Sequence, residues 1–195
     1  MEAYFDNAAT TAVYPEVKEL MIKLMEEDYG NPSSLHMKGV EAEKYIKKAT
    51  SQIAKELKCQ EKELVFTSGG TESNNLAIIG GAMAHRRAGK HIITTNIEHA
   101  SVSATMEFLG KEGYEISTVG VDEDGKVNLE ELKNTLRDDT ILVSVMYVNN
   151  EIGAIQPIEE ISKIIKAFNP GILFHVDAVQ AFGKLTFSPK KLGVD

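Results

Sequence analysis

The stretch HIITTNIEHASVSATMEFLGKEGYEISTV, residues 91–119, decides the fold class. Its first five residues, His91-Ile92-Ile93-Thr94-Thr95, are a short run rich in β-branched side chains and read as a strand. A polar break follows at Asn96-Ile97-Glu98-His99, and Ala100 to Lys111 then reads as a helix. Tyr114 to Val119 reads as a second strand. Two strands joined through a helix run parallel, because a tight turn joins only antiparallel neighbours.

The same alternation continues on both sides. Upstream, Leu64-Val65-Phe66-Thr67 reads as a short strand and Glu72 to Arg87 as a helix. Downstream, Asp122 to Lys126 is a turn, Leu129 to Leu136 a helix, Ile141 to Tyr147 a strand, Ile158 to Phe168 a helix and Ile172 to Val176 a strand. The strand runs do not alternate apolar with polar, as expected where both faces are covered. The fold class expected is therefore α/β, a three-layer, mostly parallel sheet with helices on both faces. Before this region lie a turn-rich arm, residues 1–14, and two helices, one opened by Pro15 and one from about Lys38 to Lys58.

Composition sets the outer bounds. Of 195 residues, 43% are apolar and 26% charged, which excludes a disordered chain. The 21 basic and 29 acidic side chains give −8, against a general nucleic-acid binder and against docking on anionic membrane. Cys59 is the one cysteine, so no internal disulfide forms, which fits a cytoplasmic protein. The start of the chain has no signal-peptide pattern, and no apolar run approaches the ~20 residues of a membrane span. The five histidines show no metal-binding spacing.

In an open α/β sheet, ligands bind beyond the carboxyl ends of the strands. Four polar clusters fall there: Ser68-Gly69-Gly70-Thr71-Glu72-Ser73, Asn96-Ile97-Glu98-His99, Val148-Asn149-Asn150-Glu151 and Asp177-Ala178-Val179-Gln180. Gly69, Gly70 and Thr71 before a helix suit a phosphate, or form a tight turn with Thr71 as cap. The loop has neither the P-loop nor the GxGxxG pattern. Asp177 at the end of an apolar strand needs a donor or a cation, so it is either a helix N-cap or the partner of a protonated ring nitrogen. His99 either stacks on a planar ring and shuttles protons or is a hydrogen-bonded structural histidine. Asn149 and Asn150 are turn formers by default.

Six segments taken in order carry a resemblance. They are Asp6-Asn7-Ala8-Ala9-Thr10-Thr11, Gly30-Asn31-Pro32-Ser33-Ser34-Leu35-His36, Phe66 to Asn75, Glu98-His99, Val148 to Gly153 and His175 to Gln180. Together they resemble the cysteine desulfurases, NifS-like enzymes of the class-V aminotransferase family with the fold of pyridoxal phosphate (PLP) enzymes. The resemblance implies PLP as cofactor. Gly70 and Thr71 would hold its phosphate, His99 would stack over the ring and act in catalysis, and Asp177 would pair with the ring nitrogen. Gln180 would bond the phenolic oxygen, and Asn150 that oxygen or the substrate carboxylate.

The implied reaction takes sulfur from L-cysteine, leaving alanine and a protein persulfide that feeds iron–sulfur cluster assembly or other sulfur transfer. The implied partners are a second copy in a homodimer and a sulfur-acceptor or scaffold protein. The resemblance also divides the chain into an arm, 1–14, and a PLP-binding large domain, 15–195, incomplete at its C-terminal end. Two family groups have no match in these residues: the Schiff-base lysine of a Ser-x-His-Lys motif and the nucleophilic cysteine. Cys59 sits in the charged segment Lys58 to Lys62 and reads as a surface thiol. The chain by itself is therefore expected to be inactive, as a fragment, as half of a split enzyme or as a degenerate protein that kept the fold and lost the chemistry, with a non-catalytic scaffold as the alternative function. Selenocysteine lyase and other class-V enzymes are the neighbouring alternatives.

Overall fold

The computed structural model describes residues 3–195. The chain divides into two compact units, one ending at Leu64 and the other spanning Val65–Asp195. In the first unit, Pro15 opens α1, Pro15–Glu26, where its missing N–H costs nothing. The Val17, Leu20, Met21 and Met25 stripe of α1 is exposed. His36 caps α2, Met37–Leu57, by accepting from the Gly39 N–H. Tyr45 Oη donates to Asp28 Oδ2 at 2.7 Å, tying α2 to the segment after α1. Met1 and Glu2, the start of the expected arm, lie outside the described residues.

The second unit holds the sheet. Its elements are α3 (Gly70–His85), β1 (His91–Thr95), α4 (Ala100–Lys111), β2 (Glu115–Val119), α5 (Leu129–Thr135), β3 (Thr140–Met146), α6 (Ile158–Phe168), β4 (Leu173–Asp177) and α7 (Pro189–Leu192). The strand order is β2-β1-β3-β4, and every pairing is parallel. Successive side chains of a strand point to opposite faces. Ile92 and Leu142 therefore pack with Ile78, Val102, Met106 and Leu109 of α3 and α4. Ile93, Val143, Val145 and Phe174 pack with Leu132 of α5 and Ile158, Ile161 and Ile165 of α6. Burying each such side chain contributes ~1.5–3 kcal/mol, so the two cores clamp the sheet from both sides. This is the three-layer α/β architecture expected.

His91 opens β1 fully buried, its ring nitrogens 2.7 Å from Thr140 Oγ1 and 2.9 Å from Ser117 Oγ. One imidazole thus pins both neighbouring strands to β1. α4 ends where Gly113 takes a positive φ of 86°, which returns the chain into β2 at little steric cost.

One element expected from the pattern does not form. Residues 64–67 have no strand partner among the described residues, and Val65 and Phe66 are exposed. A strand exists only through its ladder, so a β-prone run without a neighbour stays an extended loop. The Gly69-Gly70 turn therefore follows a loop, and three strand ends, not four, flank the site. Asp195 makes one backbone bond beside β4, from its N–H to the Phe174 carbonyl at 3.1 Å, without joining a strand.

Candidate functional site

The carboxyl ends of β1, β3 and β4 face the first turn of α3. β1 is followed in sequence by β2 on one side, and the chain then returns to place β3 on the other. In open α/β sheets such a reversal is where a crevice forms beyond the strand ends. Two side chains stitch it. Glu98 Oε1 accepts from the Met146 N–H at 2.9 Å and from Thr95 Oγ1 at 2.6 Å. Asn149 is buried, donates to the Ile97 carbonyl at 3.0 Å, and accepts from the N–H groups of Glu151 and Ile152 at 2.9 Å each. The loops after β1 and β3 are therefore one hydrogen-bonded unit. Asn149 is a scaffold residue of that unit, as its turn-forming chemistry led one to expect.

Asp177 is the last residue of β4 and only 7% exposed. Its two carboxylate oxygens have different partners. Oδ1 accepts from the Val179 N–H at 3.0 Å, shaping the turn after the strand. Oδ2 faces inward and accepts from Asn74 Nδ2 at 2.8 Å. Among the described residues no cation pairs with it. A buried carboxylate met by neutral donors alone suits a cationic N–H supplied from outside the chain.

Asn74 lies one turn into α3 and is buried. Its amide also donates to Ser101 Oγ at 2.9 Å. Ser101 Oγ in turn lies 2.9 Å from His99 Nδ1. His99 caps α4, its Nδ1 accepting from the Ser101 N–H at 3.1 Å. Asp177, Asn74, Ser101 and His99 thus form one continuous chain of hydrogen bonds across β4, α3 and the start of α4. Sequence reasoning found the two ends and missed the middle. The signal was present: Asn74 precedes Ile78 and Ala82 on the buried stripe of α3, and Ser101 precedes Thr105 and Met106 on that of α4.

The glycine turn approaches the same place. A Cβ at Gly70 would come within 3.0 Å of Val179 Cγ2, so the start of α3 abuts the turn after β4. The Glu72 carboxylate folds back onto Ser68, accepting from its N–H at 2.6 Å and its hydroxyl at 2.5 Å. These bonds hold the Glu72 pKa below the usual range. Thr71 is exposed in the first turn, with the helix N–H groups around it. Gln180 Oε1 accepts from Lys184 Nζ at 2.6 Å, and Asn150 Nδ2 donates to Glu151 Oε1 at 2.8 Å.

Burial makes two nearby groups unusual. Desolvation raises the Glu98 carboxyl to about 7, assisted by the negative charge of Asp177. Its Oε2, like Thr94 Oγ1, is buried without a partner among the described residues. Desolvation also lowers the His175 imidazole to about 4, and Ser144 Oγ lies 2.9 Å from its Nδ1. Among the described residues no group of three or more His, Cys, Asp or Glu side chains is placed to hold a metal ion.

A parallel α/β sheet with a reversal of strand order, a helix start nearby and a buried carboxylate at a strand end that no cation pairs with are the features at which open α/β folds take small molecules. The aminotransferase class-V family profile matches residues 3–195, and the chain belongs to that family. It is 49% identical over 194 residues to a cysteine desulfurase IscS of Dictyoglomus turgidum, covering 100% of this chain and 49% of that protein. It is 50% identical over 192 residues to a cysteine desulfurase IscS of Methanosarcina thermophila, covering 98% of this chain and 47% of that one. Among solved structures, a NifS-like protein superposes with a TM-score of 0.97 at 46% identity, over all of this chain and 53% of its own. A structure described as SspA in complex with cysteine superposes at 0.92 with 38% identity, over 98% of this chain and 55% of its own. The chain spans about half the length of the curated relatives it matches.

Proposed function

We propose that this chain supplies the PLP-binding part of a cysteine desulfurase. The observation that carries the reading is Asp177, a buried carboxylate at the end of β4 that receives only neutral donors and is wired to His99. The donor set fits PLP. Asp177 would accept from the ring N–H and keep it protonated. Gly70, Thr71 and the free N–H groups at the start of α3 would hold the phosphate dianion. His99 would cover the ring, and Gln180 and Asn150 would bond its phenolic oxygen or the substrate carboxylate. When bound, the cofactor supplies an electron sink for breaking bonds at the amino acid.

The proposed overall reaction converts L-cysteine and a protein thiol to L-alanine and a persulfide. The C–S bond breaks, the sulfur passes to the thiol, and a proton returns to the carbon. The cysteine-bound structural neighbour supports the substrate. The names of the relatives support the reaction class. Cys59, partly exposed between α2 and the turn at Glu61–Glu63, is not assigned the acceptor role. No lysine of this chain stands in the family's lysine motif, so turnover by these 195 residues alone is not expected.

A homodimer, a sulfur-acceptor or scaffold protein, supply to iron–sulfur cluster assembly and a cytoplasmic location belong to the same proposal. So does the division into an arm, 1–14, and a PLP-binding domain, 15–195. Among the described residues no helix is long and apolar enough to cross a membrane.

The test is equilibrium dialysis of the chain against PLP, followed by visible absorbance, with Asp177→Ala beside it. Losing one partner of a buried charged hydrogen bond costs ~2–5 kcal/mol. The variant is expected to bind at least tenfold more weakly. Equal binding would remove Asp177 from the site.

A further inference from the structure

The bonds between Asp177 and His99 have a direction. The Asp177 carboxylate only accepts, so the Asn74 atom 2.8 Å from Oδ2 is the amide nitrogen. That NH2 group has two hydrogens. One goes to Asp177 and the other to Ser101 Oγ, 2.9 Å away. Ser101 Oγ accepts there, which leaves its single hydrogen for His99 Nδ1 at 2.9 Å. The backbone N–H of Ser101 can only donate, and it too points at Nδ1, from 3.1 Å. Two donors converge on one ring nitrogen. A hydrogen on Nδ1 would meet the backbone N–H head-on and would force the hydroxyl to turn its own hydrogen away.

We propose that Asn74 and Ser101 are positioning residues that hold neutral His99 in the tautomer with Nδ1 bare and the proton on Nε2. The outward tip of the ring is then an N–H donor. No hydrogen bond from a described residue engages Nε2, so its hydrogen is available to whatever occupies the crevice. His99 therefore offers a proton toward the crevice and does not take one there without first turning over its tautomer. Asn74 makes this arrangement depend on Asp177, since the carboxylate fixes which way the amide faces. The catalytic consequence rests on the placement of His99 over the cofactor. The tautomer itself does not, and it is tested in the chain without PLP.

The experiment is a two-bond proton–nitrogen correlation spectrum of the uniformly 15N-labelled chain, well above the ordinary imidazole range, where the rings are neutral. His99→Gln identifies the His99 signals. The wild-type chain is expected to show the Nε2–H pattern alone. Ser101→Ala keeps the backbone donor but loses the hydroxyl. It is expected to shift the tautomer ratio about fivefold toward Nδ1–H, the worth of one neutral hydrogen bond. Ser101→Thr is expected to restore the wild-type pattern, which a general packing defect would not allow. Asn74→Ala is expected to move the ratio the same way by a smaller factor, because the hydroxyl is then free to turn. The His91 and His175 signals, from rings held elsewhere in the sheet, report that each variant is folded. A mixed or Nδ1–H pattern in the wild-type chain overturns the proposal, and so does a folded Ser101→Ala chain with an unchanged ratio. Should Ser101→Ala fail to fold, the wild-type spectrum decides alone. PLP dialysis and this spectrum fail independently, so loss of the cofactor reading and loss of the tautomer reading are told apart.

Discussion

Replacing Glu98 with glutamine tests the electrostatics of the crevice. The folded chain raises this carboxyl from 4.5 to about 7, with burial the main cause and Asp177 a lesser one. The folded state therefore holds the proton more tightly than the unfolded chain. The contribution to stability is full below pH 4.5 and is lost as the pH rises to about 7. At about 1.4 kcal/mol for each tenfold change, the gap amounts to about 3 kcal/mol. Glutamine keeps an Oε1 for the Thr95 hydroxyl and the Met146 N–H, and it cannot ionise. Its NH2 group takes the place of Oε2, which has no partner, at a desolvation cost of ~1–3 kcal/mol that does not change with pH. The informative quantity is the difference between two pH values. Glu98→Gln should be about 2–3 kcal/mol more favourable, relative to wild type, at pH 8 than at pH 5. Urea unfolding of both proteins at both values, followed by far-ultraviolet circular dichroism, measures it. The same stability difference at pH 5 and pH 8 would refute the account of a buried, desolvated carboxyl at the junction of β1 and β3.

His175 behaves in the opposite sense. Its folded value of about 4 lies below the ordinary 6.5, so its contribution is present above pH 6.5 and is lost as the pH falls toward 4. His175→Gln should remove about 3 kcal/mol of that acid sensitivity, seen as a flatter urea midpoint between pH 7 and pH 4. Asn149→Ala leaves the Ile97 carbonyl and two loop N–H groups without their partner. It should cost ~2–3 kcal/mol in urea unfolding and speed amide exchange at Glu151 and Ile152 selectively.

The elements that could be read from the chain are those whose signal is local. β1, α4 and α6 occupy the residues their patterns mark, because a strand buried on both faces and a helix with one apolar stripe each leave a short-range period. Residues 64–67 carry the same local signal and fail as a strand, because pairing depends on a neighbour that local sequence does not name. The site divides in the same way. His99, Asp177 and the Gly69-Gly70-Thr71 turn are legible as polar breaks after apolar runs. Asn74 and Ser101 are not, since a polar residue on a helix stripe reads as an imperfection until its partner is known. Asn149 and Asn150 are adjacent and alike, and only the fold makes the first a buried brace across the crevice.

Sequence alone determined the α/β class, the polar clusters beyond the strands and the family resemblance, because period and motif are properties of neighbouring residues. Only the tertiary structure decided that Asp177, 103 positions after Asn74, shares a hydrogen bond with it. It also decided that Glu98 and His175 have lost their water and with it their ordinary acidity. Hydrogen-bond direction and desolvation both depend on what lies across a few ångströms of space, and parallel strand order sets that distance irrespective of separation along the chain.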